Sequence, residues 1–107
     1  MEDRKRSDLI YEVKSKLDLL KRYIKILRII QNNGTTSMRD LSELTKYTLY
    51  EVRYSLRMLE KEGLIKPSPN GAVPTDAITK VIPQLKNKLK EMNKKINDII
   101  DTLSFDK

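Results

Sequence analysis

From Asp3 to Gln31 the chain has neither glycine nor proline, and Ile10, Val13, Leu17, Leu20, Ile24 and Leu27 follow one another at alternating steps of three and four. Such a row stays on one side of a helix and is the pattern of a helix laid against another helix. From Tyr23 onward Ile26, Ile29 and Ile30 add a second apolar side. A helix apolar on two sides needs two partners. Residues 1–22 are therefore expected to form an arm, and the second half of the helix to open a packed core over 23–75.

Asn32-Asn33-Gly34 ends this helix, with glycine available for a left-handed cap. Ser37-Met38-Arg39-Asp40 has the form of a capping box and opens a short helix, Met38 to Thr45, whose Met38, Leu41 and Leu44 are expected to point inward. After a brief turn at Lys46-Tyr47, Thr48-Leu49-Tyr50-Glu51 is a second capping box, starting a helix to Glu62 that Gly63 closes. Two capped helices across a tight turn make a helix-turn-helix layout. Leu64-Ile65-Lys66 then reads as a strand, Pro67 to Gly71 as a turn, and Ala72-Val73-Pro74 as a return strand that Pro74 confines to an edge. Thr75 can cap a last helix from Asp76 to about Leu103. Its Ile78, Ile82, Leu85, Leu89, Met92, Ile96, Ile99 and Leu103 again step by four and three, and Pro83 predicts a kink or a fresh start.

In the second short helix Leu49, Val52, Leu56 and Leu59 share a narrow sector, since successive residues turn by about 100°. Tyr47, Tyr50, Tyr54, Arg57 and Lys61 fall opposite, with Arg53 beside them. A clustered aromatic and cationic face turned to water marks a binding surface, and arginine is suited to the guanine edge in a major groove. Ser37 and Arg39, at the start of the preceding helix, and Lys46 in the turn are placed for phosphate. The hairpin offers Lys66, Ser68 and Asn70.

Composition supports a nucleic-acid partner. The net charge is +7 among 107 residues, and a strongly basic balance favours polyanions. The excess is uneven: residues 1–30 carry nine basic and five acidic side chains, 31–75 six and five, and 76–107 seven and five. Arg4-Lys5-Arg6 and the lysines 86, 88, 90, 94 and 95 account for much of it; such clusters commonly flank coiled coils. There is no Cys and no His, which removes disulfide and thiolate chemistry, and the Glu60/Glu62 pair lacks metal-ligand companions. No phosphate-cradling glycine motif occurs. No cofactor, metal or catalytic step is expected. The longest apolar runs are far too short for a membrane span, and the opening Met-Glu-Asp-Arg-Lys-Arg lacks the apolar region of a signal peptide. A cytoplasmic, nucleoid-associated location is expected.

Two stretches carry a resemblance. Met38-Arg39-Asp40-Leu41-Ser42-Glu43-Leu44-Thr45, and Ser55-Leu56-Arg57-Met58-Leu59-Glu60-Lys61-Glu62-Gly63-Leu64-Ile65 with its L-x-x-L-E-x-x-G-L-I ending, make Ile24 to Thr75 similar to the winged-helix domains of archaeal and bacterial MarR- and PadR-type regulators. The resemblance implies that Tyr50, Arg53, Tyr54 and Arg57 enter a major groove and that the flanking helices dimerise. The chain departs from the MarR type in its short wing without arginine. The long basic helices also resemble those of archaeal chromatin-like and plasmid-segregation proteins with winged-helix cores.

The expectation is thus a mainly α, single-domain chain over 1–107. Its winged helix-turn-helix has a short two-stranded wing and long N- and C-terminal dimerisation helices, 76–107 forming the latter. The dimer would bury Ile10, Val13, Leu17 and Leu20, and Leu85, Leu89, Met92, Ile96, Ile99 and Leu103. Partners expected are double-stranded DNA, a second copy of the chain and proteins of a regulatory or partition complex. The role expected is sequence-specific transcription regulation, with a DNA-spreading architectural or segregation role as the alternative.

Overall fold

The computed structural model describes residues 2–104, with side chains from residue 8 onward; the Arg4-Lys5-Arg6 cluster lies outside the described side chains. The elements are α1 (Glu2–Asn33), α2 (Met38–Thr45), α3 (Leu49–Lys61), β1 (Ile65–Ser68), β2 (Gly71–Pro74) and α4 (Ile78–Ser104). They fall into two compact units, 1–75 and 76–107.

In the first unit, Ile26, Leu27 and Ile30 of α1 are fully buried with Leu41 of α2 and Val52 of α3. Leu59, Leu64, Ile65 and Ala72 complete this core. It is aliphatic and small, so each large side chain carries a good share of the stability, roughly 1.5–3 kcal/mol on burial. Toward the N-terminus α1 leaves the core: Ile10, Val13 and Leu17 are exposed, and Leu20 and Ile24 are half-buried.

Two leucines depart from expectation. Leu44 and Leu49 are 59% and 50% exposed. In α2 the core meets the side bearing Leu41 and Thr45, and Thr45 satisfies its hydroxyl locally by donating to the Leu41 carbonyl at 2.6 Å. Leu44 is turned away from that side. In α3 the buried row is Val52, Ser55 and Leu59, so the inward direction is rotated away from Leu49.

The start of α2 and the end of α3 follow their sequence signals, α2 with one half of the expected capping box. Ser37 Oγ accepts from the Asp40 N–H at 3.1 Å. At the end of α3, Gly63 N–H donates to the Glu60 carbonyl and Leu64 N–H to that of Leu59, with Gly63 at φ +77°: a Schellman closure.

The hairpin is tighter than expected. β1 and β2 pair from Ile65↔Pro74 to Ser68↔Gly71, leaving only Pro69 and Asn70 in the turn, and Ser68 Oγ donates to the Gly71 carbonyl at 2.6 Å. Pro67 fits within β1 because ladder groups alternate sides and its nitrogen faces the open edge. Thr36, in the loop after α1, adds a short third rung, exchanging two backbone hydrogen bonds with Ala72 at 2.9 and 3.0 Å. Pro74 would be next along that side and has no N–H to give, so the rung stands alone. Gly71 is what lets the loop come so close. A Cβ there would lie 2.4 Å from the Thr36 carbonyl oxygen, and its φ of +134° is foreign to other residues.

In the second unit α4 runs unbroken through Pro83, where a fresh start was one expectation. Thr75 does not cap it; its hydroxyl donates to the Gly63 carbonyl at 2.6 Å, closing the base of the hairpin. Leu89, Met92, Ile96, Ile99, Ile100 and Leu103 are exposed along α4, and Leu85 is half-buried. No described helix is long and apolar enough to cross a membrane.

Candidate nucleic-acid interface

The helix α3 owes its position to both its ends and its middle. At the start, Thr48 Oγ1 accepts from the Glu51 N–H at 3.1 Å while Glu51 Oε1 accepts from the Thr48 N–H at 3.0 Å. The turn before it is held by side chains. Ser42 Oγ donates to the Tyr47 carbonyl at 2.6 Å, and Tyr47 N–H donates to Thr45 Oγ1 at 3.1 Å. Lys46 takes the left-handed conformation at φ 70° and sends its N–H to the Ser42 carbonyl. With Val52, Ser55 and Leu59 locked inward, the opposite side presents Tyr50, Arg53, Arg57 and Lys61 to solvent. Tyr50 is 74% exposed.

Tyr54 and Tyr47 belong to the same exposed region but lean toward α1. The Tyr54 ring centre lies 6.5 Å from that of Tyr23, and the Arg22 guanidinium carbon lies 6.0 Å from it. Tyr47 is half-buried, with the Lys25 ammonium 5.7 Å from its ring centre, within cation–π range. Tyr23 holds its proton more tightly than an ordinary tyrosine, first because burial disfavours the phenolate and then because of Tyr54; the Arg22 charge works the other way.

Beneath these rings Arg22 anchors α1 to α3. Its Nε donates to Ser55 Oγ at 2.8 Å, and its Nη1 lies 3.6 Å from Glu51 Oε2. Ser55 has no solvent exposure, so an unpartnered hydroxyl there would be costly. Glu51 thus serves the helix cap with one oxygen and Arg22 with the other. Among the described residues no buried side-chain nitrogen or oxygen lacks a hydrogen-bond partner.

The other flank of α3 faces the hairpin across an open groove of about 240 Å³ lined by residues including Met38, Arg53, Leu56, Arg57, Lys66 and Pro67. Lys66 and Asn70 are exposed, Asn70 at the hairpin tip. At the start of α2, Arg39 is exposed and Ser37 is half-buried in its capping role; Lys46 is exposed. All twelve residues expected to contact DNA, half-buried Ser68 among them, therefore lie in one unit, around α3, its preceding turn, the start of α2 and the hairpin.

Helix, short helix, turn, surface-presenting helix and hairpin closed by a third rung leave one description. The fold is a winged helix-turn-helix. Residues 20–66 match the family model described as winged helix-turn-helix DNA-binding, and the chain is similar to that family over this stretch. A search of curated proteins found no match. The match begins where α1 enters the core and ends in β1, so it covers the elements that set α3 in place and leaves out most of the exposed part of α1 and all of α4.

The winged helix contains a linkage that the apolar pattern did not disclose: Arg22 to Ser55. The signal available was Ser55 itself. It stands between Val52 and Leu59 on the inward side, where a hydroxyl requires a partner. Among the described residues no group of His, Cys, Asp and Glu is arranged to hold a metal ion.

Proposed function

We propose that this winged-helix protein is a dimeric, sequence-specific transcription regulator that reads the major groove of double-stranded DNA with α3. The observation that carries the reading is the exposed face of α3. Tyr50, Arg53, Arg57 and Lys61 project from a helix whose other side is fixed by Val52, Ser55 and Leu59. Phosphate contacts from Ser37, Arg39 and Lys46 on one side and from Lys66 and Asn70 on the other would position the helix, while the arginines distinguish bases. Tyr47 and Tyr54 contribute from the α1 flank. The similarity to DNA-binding winged helices over residues 20–66 supports this, and the MarR- and PadR-like motifs favour regulation as the role. The function is binding, and no catalytic step is assigned.

Dimerisation rests on apolar rows that remain open to solvent. On α1 these are Ile10, Val13 and Leu17, continued by half-buried Leu20; on α4 they are Leu89, Met92, Ile96, Ile99 and Leu103, begun by half-buried Leu85. A two-fold pair would offer two α3 helices to half-sites about one duplex turn, ~34–36 Å, apart.

Footprinting on the DNA flanking the protein's own gene tests the reading: short, near-palindromic protected sites are expected. Arg57→Ala should weaken binding to such a site by about 1–3 kcal/mol and relax selectivity at one position of each half-site. The positive excess on the flanks, including exposed Lys86, Lys88 and Lys90 of α4, favours a second reading, an architectural or segregation protein that spreads along DNA with partners of a partition complex. Continuous, cooperative protection would establish that reading and exclude the first.

A further inference from the structure

A cleft beside the start of α3 carries charge that the reading of α3 leaves unassigned. Asp18, Lys21, Arg22 and Lys25 of α1 line it together with Tyr47 and Glu51. Both acids are already engaged. Asp18 pairs with Lys14 at 3.0 Å; Glu51 is divided between the Thr48 N–H and Arg22. Each engagement cancels one acid against one base, Asp18 against Lys14 and Glu51 against Arg22, and Arg22 also donates to Ser55. What remains is a pair of ammonium groups, Lys21 and Lys25, both exposed and, among the described residues, without a carboxylate partner.

These two are not scattered. Lys21, Lys25 and Arg28 are separated by four and three residues, which keeps them on one side of a helix. Lys25 reaches the ring of Tyr47, the residue before the cap of α3. The basic row therefore runs directly up to the end of α3 that presents Tyr50. The opposite flank of α3 has exposed Glu60 and, from the hairpin, only Lys66 as a cation.

The geometry points to a phosphate track on α1: Lys21 and Lys25, continued by Arg28, hold the sugar-phosphate backbone of a duplex whose major groove receives α3. The inference rests on the DNA-binding reading and adds a second grip on the backbone, from α1, to the contacts offered by α2, the turn and the wing. Contacts of this kind carry no sequence information; they add affinity through counterion release.

The test is a salt series of DNA-binding titrations on the full chain, with a site from the footprint and a duplex of unrelated sequence. The variants are Lys21→Ala/Lys25→Ala and, as a control removing equal charge, Lys94→Ala/Lys95→Ala in α4. All four lysines are exposed, and circular dichroism verifies folding. The first variant should lower the steepness of log affinity against log salt by about two, equally on both duplexes, while the control leaves it unchanged. An unchanged slope for the first variant, or an equal loss in the control, overturns the track while leaving the DNA-binding reading in place. A change in oligomeric state by ultracentrifugation without a change in slope assigns the cleft to a second copy and overturns it as well. If the unaltered protein binds neither duplex, both readings fall.

Discussion

On its α1 flank, α3 is held by Arg22, which reaches a fully buried serine and a capping glutamate, and by the rings of Tyr23 and Tyr54. On its wing flank it borders an open groove, and the hairpin beyond is held in place by backbone, through the Thr36–Ala72 rung and the close approach at Gly71. One helix is thus positioned by two kinds of restraint. Side-chain hydrogen bonds and charge act on the first flank, steric closeness of main chains on the second. The difference teaches where each flank is vulnerable. A polar linkage can be weakened stepwise. A main-chain contact without room for a methyl group tolerates no added atom.

The wing flank should show the larger effect. Gly71→Ala forces a Cβ against the Thr36 carbonyl in a backbone conformation alanine resists, costing roughly 3 kcal/mol. Calorimetry should show the melting temperature falling sharply, and amide exchange should show protection lost at Thr36 and Ala72. A near-normal melting temperature would mean that the rung does not restrain the hairpin.

On the α1 flank, Arg22→Met keeps much of the side chain's bulk but strands the Ser55 hydroxyl. The loss should be about 1–3 kcal/mol. Adding Ser55→Ala should recover part of it, because the orphaned group is then gone. Additive losses in the double variant would show that the two side chains do not act as a pair.

The smallest effect is one of pH on the same flank. The phenol of Tyr23 has its folded-state pKa raised above the usual 10.0 by burial and by Tyr54. The folded state therefore keeps a proton that the unfolded chain releases. The associated stability is fully present below pH about 10 and is lost as pH rises through the higher folded value. Melting temperatures recorded on either side of that value should fall more steeply for the unaltered protein than for Tyr23→Phe. Parallel curves would remove Tyr23 as the source.

The sequence by itself determined the elements, because the signals involved are local. The boundaries of α2 and the capping of α3 follow from Ser37, Thr48, Glu51 and Gly63, residues that act on backbone groups a few positions away. The apolar rows identified Ile26, Leu27, Val52 and Leu59 as core for the same reason: a helix fixes which residues share a side. Tertiary structure decided what those sides meet. It turned the inward side of α3 toward Ser55 and left Leu49 in solvent, brought Arg22 from thirty-three residues away to the one hydroxyl on that side, and drew Tyr47 and Tyr54 toward α1. It also lengthened the strands past Pro67, since a proline disrupts a ladder only on the side where its nitrogen is needed, and pairing alone decides which side that is. Local hydrogen bonds can be read from neighbouring letters; the direction in which a helix faces its core depends on every other element that packs there.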